Sequence, residues 1–149
     1  MDQVRNPTTP LRVLVELADP SARQFHTELF RAHGFEVAAC GGPHTLGEAG
    51  CPLVTRGSCP LVDAADVVYF DLDLDDDAEV AVFDALRSVV VPEKPVVVEV
   101  PQAVAHRHAD RLTGTTVIPP IDPQRLLRAL DERDEQVRPR RGTAEPASR

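Results

Sequence analysis

The chain has 149 residues, a length that suits one domain with a single sizeable core. Its net charge of −8 argues against nucleic acid as a partner, because a phosphate backbone attracts a basic surface. Since no apolar run reaches the roughly 18 residues of a membrane span and the N-terminus lacks the pattern of a signal peptide, we expect a cytoplasmic protein without membrane contact.

Short apolar runs alternate with helical repeats along the chain. Strands are predicted at residues 12–17, 35–39, 66–70, 95–100 and 115–118. The first helix follows Asp19, a suitable N-cap, and ends near Gly34. Further helices are predicted after the acids that follow the third strand, over residues 102–112, and from Asp122 onward.

The segment between the second and third strands, residues 40–62, contains five Gly and three Pro. This spacing breaks any long helical repeat, so the segment is predicted to be an ordered loop. Residues 1–10 are expected to form an N-terminal extension. The residues from 134 to 149 have almost no apolar side chains, which predicts a disordered tail.

Apolar strands that alternate with helices are typical of a parallel sheet covered on both faces. The sequence therefore predicts an α/β fold over residues 11–133, a three-layer sandwich with a five-stranded parallel sheet. In such folds sites form at the carboxyl ends of the strands. Asp71 lies at one of these ends, directly after the run DVVYF.

The motifs and their order resemble the receiver domain of bacterial response regulators, which has a flavodoxin-like fold. RVLVELADP is similar to the first strand and acidic corner of that family, and DVVYFDLDL to its phosphoacceptor strand. KPVVVEVP resembles the fourth strand, and TVIPPIDPQRLLRAL the fifth strand with its closing helix. The resemblance covers residues 11–133 and implies a signalling module that is not an enzyme, with Asp71 at the phosphoacceptor position.

An active receiver also needs acids that bind Mg²⁺, a hydroxyl group and a lysine, which together neutralise the transferring phosphoryl group. The resemblance places apolar residues at these four positions: Leu17 and Ala18 for the metal-binding acids, Val100 for the hydroxyl and Pro119 for the lysine. The site is therefore predicted to be degenerate and to lack catalytic residues.

Three acids remain at the predicted site and would form an acidic pocket: Asp19, Asp71 and Asp73, the last through its backbone carbonyl. Weak Mg²⁺ binding is one interpretation of this pocket. The alternative is that Asp71 is a solvated acid at a strand end and that Asp19 only caps the first helix.

The loop at residues 40–62 contains all three cysteines together with a histidine. Cys40, His44, Cys51 and Cys59 offer the four ligands of a structural zinc site, although no C-x₂-C pair is present. Redox chemistry is a second interpretation, and burial as small apolar side chains is a third.

The sequence thus favours a stand-alone receiver-like signalling module that acts by protein–protein interaction, without aspartyl phosphorylation and without a cofactor. Its expected partner is another protein, with a second copy of the chain as one candidate. Two alternatives stay open. One is a zinc or thiol-redox sensor built on the cysteines, and the other is an active receiver phosphorylated at Asp71.

Overall fold

The computed structural model describes residues 9–91, 93–120, 127–128 and 130–132. The strands are β1 (Arg12–Leu17), β2 (Glu36–Cys40), β3 (Val67–Asp71), β4 (Val96–Glu99) and β5 (Thr116–Ile118). The helices are α1 (Pro20–Ala32), α2 (Pro52–Arg56), α3 (Pro60–Ala64), α4 (Asp77–Val89) and α5 (Gln102–Arg107). The predicted tail, most of the N-terminal extension and the predicted start of the last helix lie outside the described residues.

The five strands form one parallel sheet in the order β2-β1-β3-β4-β5. This is the strand order of flavodoxin-like folds, and it confirms the predicted fold class. In the register between β1 and β3, Leu17 is the partner of Asp71, and between β1 and β2 Glu16 is the partner of Cys40.

Two apolar layers cover the sheet, one on each face. Successive side chains of a strand point to opposite faces, so the odd and even positions of β1 and β3 belong to different layers. Val15 and Tyr69 pack with Phe30 of α1 and with Leu130. The other layer joins even-numbered strand residues to α2, α4 and the residues around α5. Asp71 follows Tyr69 on the α1 side, whereas Glu16 points to the opposite face.

The segment 40–62 corrects the sequence prediction, because it contains helices instead of a loop alone. Each of its two Cys-Pro pairs begins a helix of five residues, α2 and α3. Cys51 and Cys59 are the N-cap residues with extended backbone, and the following prolines have the fixed φ that suits a first helical turn. Gly57 then ends α2 in the left-handed conformation, with φ of 77°. Two 3₁₀ turns, Pro43–Thr45 and Gly47–Ala49, precede α2.

Most other differences from the predicted elements are shifts of one residue at strand ends. The exception is α5, which ends at Arg107, whereas the sequence predicted a helix to residue 112. Hydrogen-bonded turns occupy the residues after it, for example from the Leu112 N–H to the His108 carbonyl. In the described part of the chain, no helix has the length and hydrophobicity needed to cross a lipid bilayer.

Candidate functional site

An open cleft of about 550 Å³ lies at the carboxyl ends of β1, β3 and β4, and we call it the acidic cleft. Six of the residues singled out in the sequence line it: Leu17, Ala18, Asp19, Asp71, Asp73 and Val100. Two further carboxylates, those of Glu79 and Glu99, lie in its wall. The fold therefore brings together the positions that the receiver resemblance assigned to one site. Pro119 is exposed and is not among the described residues that line the cleft.

The side chain of Asp71 belongs to a buried network with Tyr69 and Glu99. The Tyr69 hydroxyl donates a 2.5 Å hydrogen bond to Oε2 of Glu99 and lies 3.4 Å from Oδ2 of Asp71. A hydrogen bond also joins the carboxyl groups of Asp71 and Glu99. Tyr69 and Glu99 are buried and Asp71 is half-buried.

The register of the sheet explains why these three side chains meet. Tyr69 and Asp71 are two residues apart on β3, so they point to the same face. Phe70 pairs with Val98, which places Glu99 of β4 level with Asp71. Neither Tyr69 nor Glu99 was predicted from the sequence as a site residue. The available signal was a lone acid at the end of the apolar run PVVVEV, one strand away from Asp71.

This environment changes the protonation of Asp71. Burial, and then the hydrogen bond to Glu99 and the repulsion from it, raise the pKa of Asp71 to about 8. The protonated form of Asp71 is therefore favoured at neutral pH. A protonated carboxyl group is a poor nucleophile, so burial and the neighbouring Glu99 disfavour nucleophilic attack by Asp71.

The other two acids of the predicted pocket stabilise local backbone structure. Oδ2 of Asp19 accepts a 2.8 Å hydrogen bond from the Ala22 N–H, which caps α1. Oδ1 of Asp73 accepts a 2.9 Å hydrogen bond from the Asp75 N–H in the loop that follows β3. Both side chains are exposed. The structure thus shows Asp19 as the helix cap that the sequence analysis gave as one alternative.

Positive charge is arranged differently from the pattern implied by the receiver resemblance. The sequence contains one lysine, Lys94. It precedes β4, at the opposite end of the sheet from the acidic cleft, and donates a 2.6 Å hydrogen bond to the Val62 carbonyl. The guanidinium group of Arg23 donates to the carbonyls of Leu17 and Ala18, at 2.9 and 3.2 Å. An arginine is thus anchored on the corner where receivers would carry their metal-binding acids.

The cysteines and His44 do not come together as a zinc site in this structure. Cys51 is buried, and Cys40 and Cys59 are half-buried against the same apolar layer. Nε2 of His44 instead lies 3.0 Å from Oδ1 of Asp76. Among the described residues, the group of three or more ligand atoms within 4.8 Å of one another is formed by His44, Asp76 and Glu79.

Cys40 faces a buried carboxyl group on the neighbouring strand. Glu16 is buried, and burial raises its pKa to about 7 although the Cys40 thiol donates a hydrogen bond to it. Burial, followed by repulsion from Glu16, raises the pKa of Cys40 to about 11. At neutral pH Glu16 is therefore about half ionised, whereas Cys40 stays protonated and has low thiolate character.

No protein family model and no curated protein matches the sequence. Solved structures do match. A response regulator receiver domain protein from Methanospirillum hungatei is 18% identical, with a TM-score of 0.59, over 87% of this chain and 98% of that one. A receiver domain protein from Clostridium thermocellum is 16% identical, with a TM-score of 0.63, over 85% of this chain and 96% of that one.

A putative pilus assembly-related protein from Burkholderia pseudomallei is 22% identical, with a TM-score of 0.63, over 91% of this chain and 96% of that one. The solved structures that resemble this chain are mostly receiver domains. At these identities the likeness establishes the fold, and this chain has the fold of receiver domains, as the sequence predicted.

Proposed function

We propose that this chain is a receiver-like signalling module that acts through protein–protein contacts and does not use aspartyl phosphorylation. The observation that carries the proposal is the position of Asp71, which pairs in register with the apolar Leu17 and lies in a network with the buried Tyr69 and Glu99. The receiver fold of the chain supports a role in signalling. A cytoplasmic location and a protein partner, with a second copy of the chain as one candidate, are part of the proposal.

Phosphoryl transfer to an aspartate depends on cations that neutralise the incoming phosphoryl group. The described residues that line the acidic cleft include neither lysine nor arginine, and three acids besides Asp71 and Glu99 line the cleft. A phosphodonor would meet this negative charge before it reached Asp71. The attacking carboxylate would also have to lose a proton that burial and Glu99 retain. Both effects oppose the reaction.

Protein contact requires an accessible surface, and the last strand offers one. β5 lies at one edge of the sheet, and Val117 on it is 42% exposed. An exposed apolar side chain on an edge strand suits contact with another protein. We infer that partners bind around β5 whether or not Asp71 is modified.

A small phosphodonor such as acetyl phosphate, incubated with the chain and Mg²⁺, tests the first half of the proposal. Intact mass spectrometry is expected to show no phosphoryl adduct, under conditions in which an active receiver is labelled. A base-labile adduct that is absent from Asp71→Asn would overturn the proposal.

Binding experiments test the second half. Light scattering detects self-association, and a purified partner can be titrated by calorimetry once it is identified. We expect Asp71→Asn to bind as the wild type does, and Val117→Glu to bind at least about tenfold more weakly. Loss of binding in Asp71→Asn, with binding retained in Val117→Glu, would contradict the proposal.

A further inference from the structure

We propose that His44, Asp76 and Glu79 form a binding site for a divalent transition-metal ion, with Zn²⁺ as the probe. His44 lies on the 3₁₀ turn Pro43–Thr45, Asp76 is the N-cap of α4, and Glu79 lies in the first turn of that helix. The site goes beyond the proposed signalling function and does not depend on it. Its residues are not those that the receiver resemblance assigns to Mg²⁺.

The distances between the three side chains suit one metal ion. Nε2 of His44 lies 3.0 Å from Oδ1 and 3.1 Å from Oδ2 of Asp76, and 3.6 Å from Oε2 of Glu79. Bonds of about 2.0–2.1 Å at tetrahedral angles would separate the ligand atoms of a zinc ion by about 3.3 Å. The observed separations lie on either side of this value, so an ion would fit after small side-chain movements.

Backbone N–H groups hold one oxygen of each carboxylate and so fix both carboxylates beside His44. Oδ1 of Asp76 accepts hydrogen bonds from the N–H groups of Ala78 and Glu79, both at 3.0 Å, and both oxygens of this carboxylate lie within 3.1 Å of Nε2 of His44. Oε1 of Glu79 accepts a 3.1 Å hydrogen bond from the Asp73 N–H, while Oε2 faces the imidazole. Metal ligands are oriented by outer hydrogen bonds of this kind.

A helix cap with a His–Asp ion pair would account for Asp76, and the hydrogen bond from the Asp73 N–H accounts for Oε1 of Glu79, but neither explains why Oε2 of Glu79 faces His44. The side chain of Glu79 is only 9% exposed, and its Oε2 lies 3.6 Å from Nε2 of His44, which is too long for a hydrogen bond. Each carboxylate also accepts backbone hydrogen bonds, but the one imidazole lies within hydrogen-bond distance of Asp76 alone. A divalent ion would bind to both carboxylates and would neutralise their combined charge.

The ligand types indicate which ions would bind. One imidazole and two carboxylates suit borderline ions such as Zn²⁺, Fe²⁺ or Mn²⁺. The site lacks the thiolates of the cysteine site considered in the sequence analysis, although it uses the same histidine. His44 is exposed, so an ion can reach the site from solvent. The two metal-site hypotheses therefore differ in ligand chemistry and can be separated by experiment.

Calorimetric titration of the full chain with Zn²⁺, after treatment with a chelator, is the test. We expect one equivalent to bind, and we expect Glu79→Gln and His44→Ala each to weaken binding by about tenfold or more. Glu48→Gln is the matched control, because Glu48 is an exposed acid on the neighbouring 3₁₀ turn and is not part of the cluster. It should bind Zn²⁺ as the wild type does.

Circular dichroism and an unfolding curve for each variant show that weaker binding is not loss of fold. The absorption spectrum of the Co²⁺-loaded chain gives an independent readout, since nitrogen and oxygen ligands produce no intense thiolate charge-transfer band. Absence of Zn²⁺ binding, binding that Glu79→Gln leaves unchanged, or a thiolate band with Co²⁺ would each overturn the proposal.

Discussion

In the parallel pairing of β1 with β3, Leu17 lies directly opposite Asp71. Leu17 is buried and packs in the same apolar layer as Val15 and Tyr69. The position at which the receiver resemblance expects a metal-binding acid is therefore part of the hydrophobic core. The fold places this position beside Asp71 whatever residue occupies it, so the fold alone does not determine whether the site can bind a metal.

Leu17→Asp is expected to lower the free energy of unfolding by about 3 kcal/mol or more. The change removes a buried leucine worth about 1.5–3 kcal/mol and puts a second carboxyl group into the buried layer beside Asp71. Urea unfolding, with and without Mg²⁺, measures the effect. Ala18→Asp is the control. Because position 18 is half-exposed, this substitution should lower the free energy of unfolding by less than about 1 kcal/mol. A Leu17→Asp chain that Mg²⁺ stabilises to the wild-type level would show that a metal position survives there.

The stability of the chain is expected to fall as pH rises from about 4 to about 8. The pKa of Asp71 is raised from 3.8 to about 8, so in this range the folded carboxyl keeps a proton that the unfolded one releases. Unfolding therefore releases a proton, and higher pH favours the unfolded state. Urea unfolding at about pH 5 and about pH 8 measures the slope.

Asp71→Asn is the control for this pH dependence and should have a shallower slope. Part of the slope should remain, because burial raises the pKa of Glu16 to about 7, which acts in the same direction. If wild type and Asp71→Asn gave the same slope, Asp71 would not hold a proton in the folded state.

Tyr69→Phe is expected to lower the free energy of unfolding by about 1.5–3 kcal/mol, since a buried carboxyl group loses its donor. The ring contacts with Phe30 and His26, at 5.6 and 5.3 Å between centroids, should persist. A double-mutant cycle with Glu99→Gln isolates the interaction. If the double mutant lost the sum of the unfolding free energies that Tyr69→Phe and Glu99→Gln each lose, the Tyr69 hydroxyl and Glu99 would not interact.

The sequence predicts the layered fold because each strand is a short apolar run and each helix has a 3.6-residue repeat. It also predicts that Asp71 lies at a strand end. It does not predict the network of Tyr69 and Glu99, because their contact depends on the register between β3 and β4 and on buried side-chain conformations. No local pattern indicates that register, and although Glu99 is a lone acid in an apolar run, the sequence does not show that it lies beside Asp71.

The partners of His44 are a second case. The segment that contains His44 is rich in Gly and Pro and has no periodic spacing of apolar residues. The course of its backbone therefore cannot be predicted from the sequence, and the distance between His44 and Asp76 depends on that course. The helices within the segment did have a signal, since Cys51-Pro52 and the later Gly57 match the start and end of α2. Because that helix has only five residues, its start and end signals look like those of turns.

Asp19→Ala is expected to cost about 1 kcal/mol of stability, because α1 loses the acceptor for the Ala22 N–H. Asp19→Asn tests the helix cap separately from the charge, since asparagine is neutral and caps a helix about as well as aspartate does. We expect thermal unfolding of Asp19→Asn to match the wild type. A loss in Asp19→Asn as large as that in Asp19→Ala would show that the carboxylate charge itself matters in the acidic cleft.

Cys40 is expected to react with iodoacetamide more slowly than Cys59. Burial and the neighbouring Glu16 raise the pKa of Cys40 to about 11, so only about one thiol in a thousand is ionised near pH 8. Peptide mass spectrometry after timed alkylation gives the rate at each cysteine. Glu16→Gln is expected to accelerate the reaction at Cys40 and to leave Cys59 unchanged, because it removes the negative charge beside the Cys40 sulfur. Fastest alkylation at Cys40 in the wild type would instead favour the thiol-redox alternative.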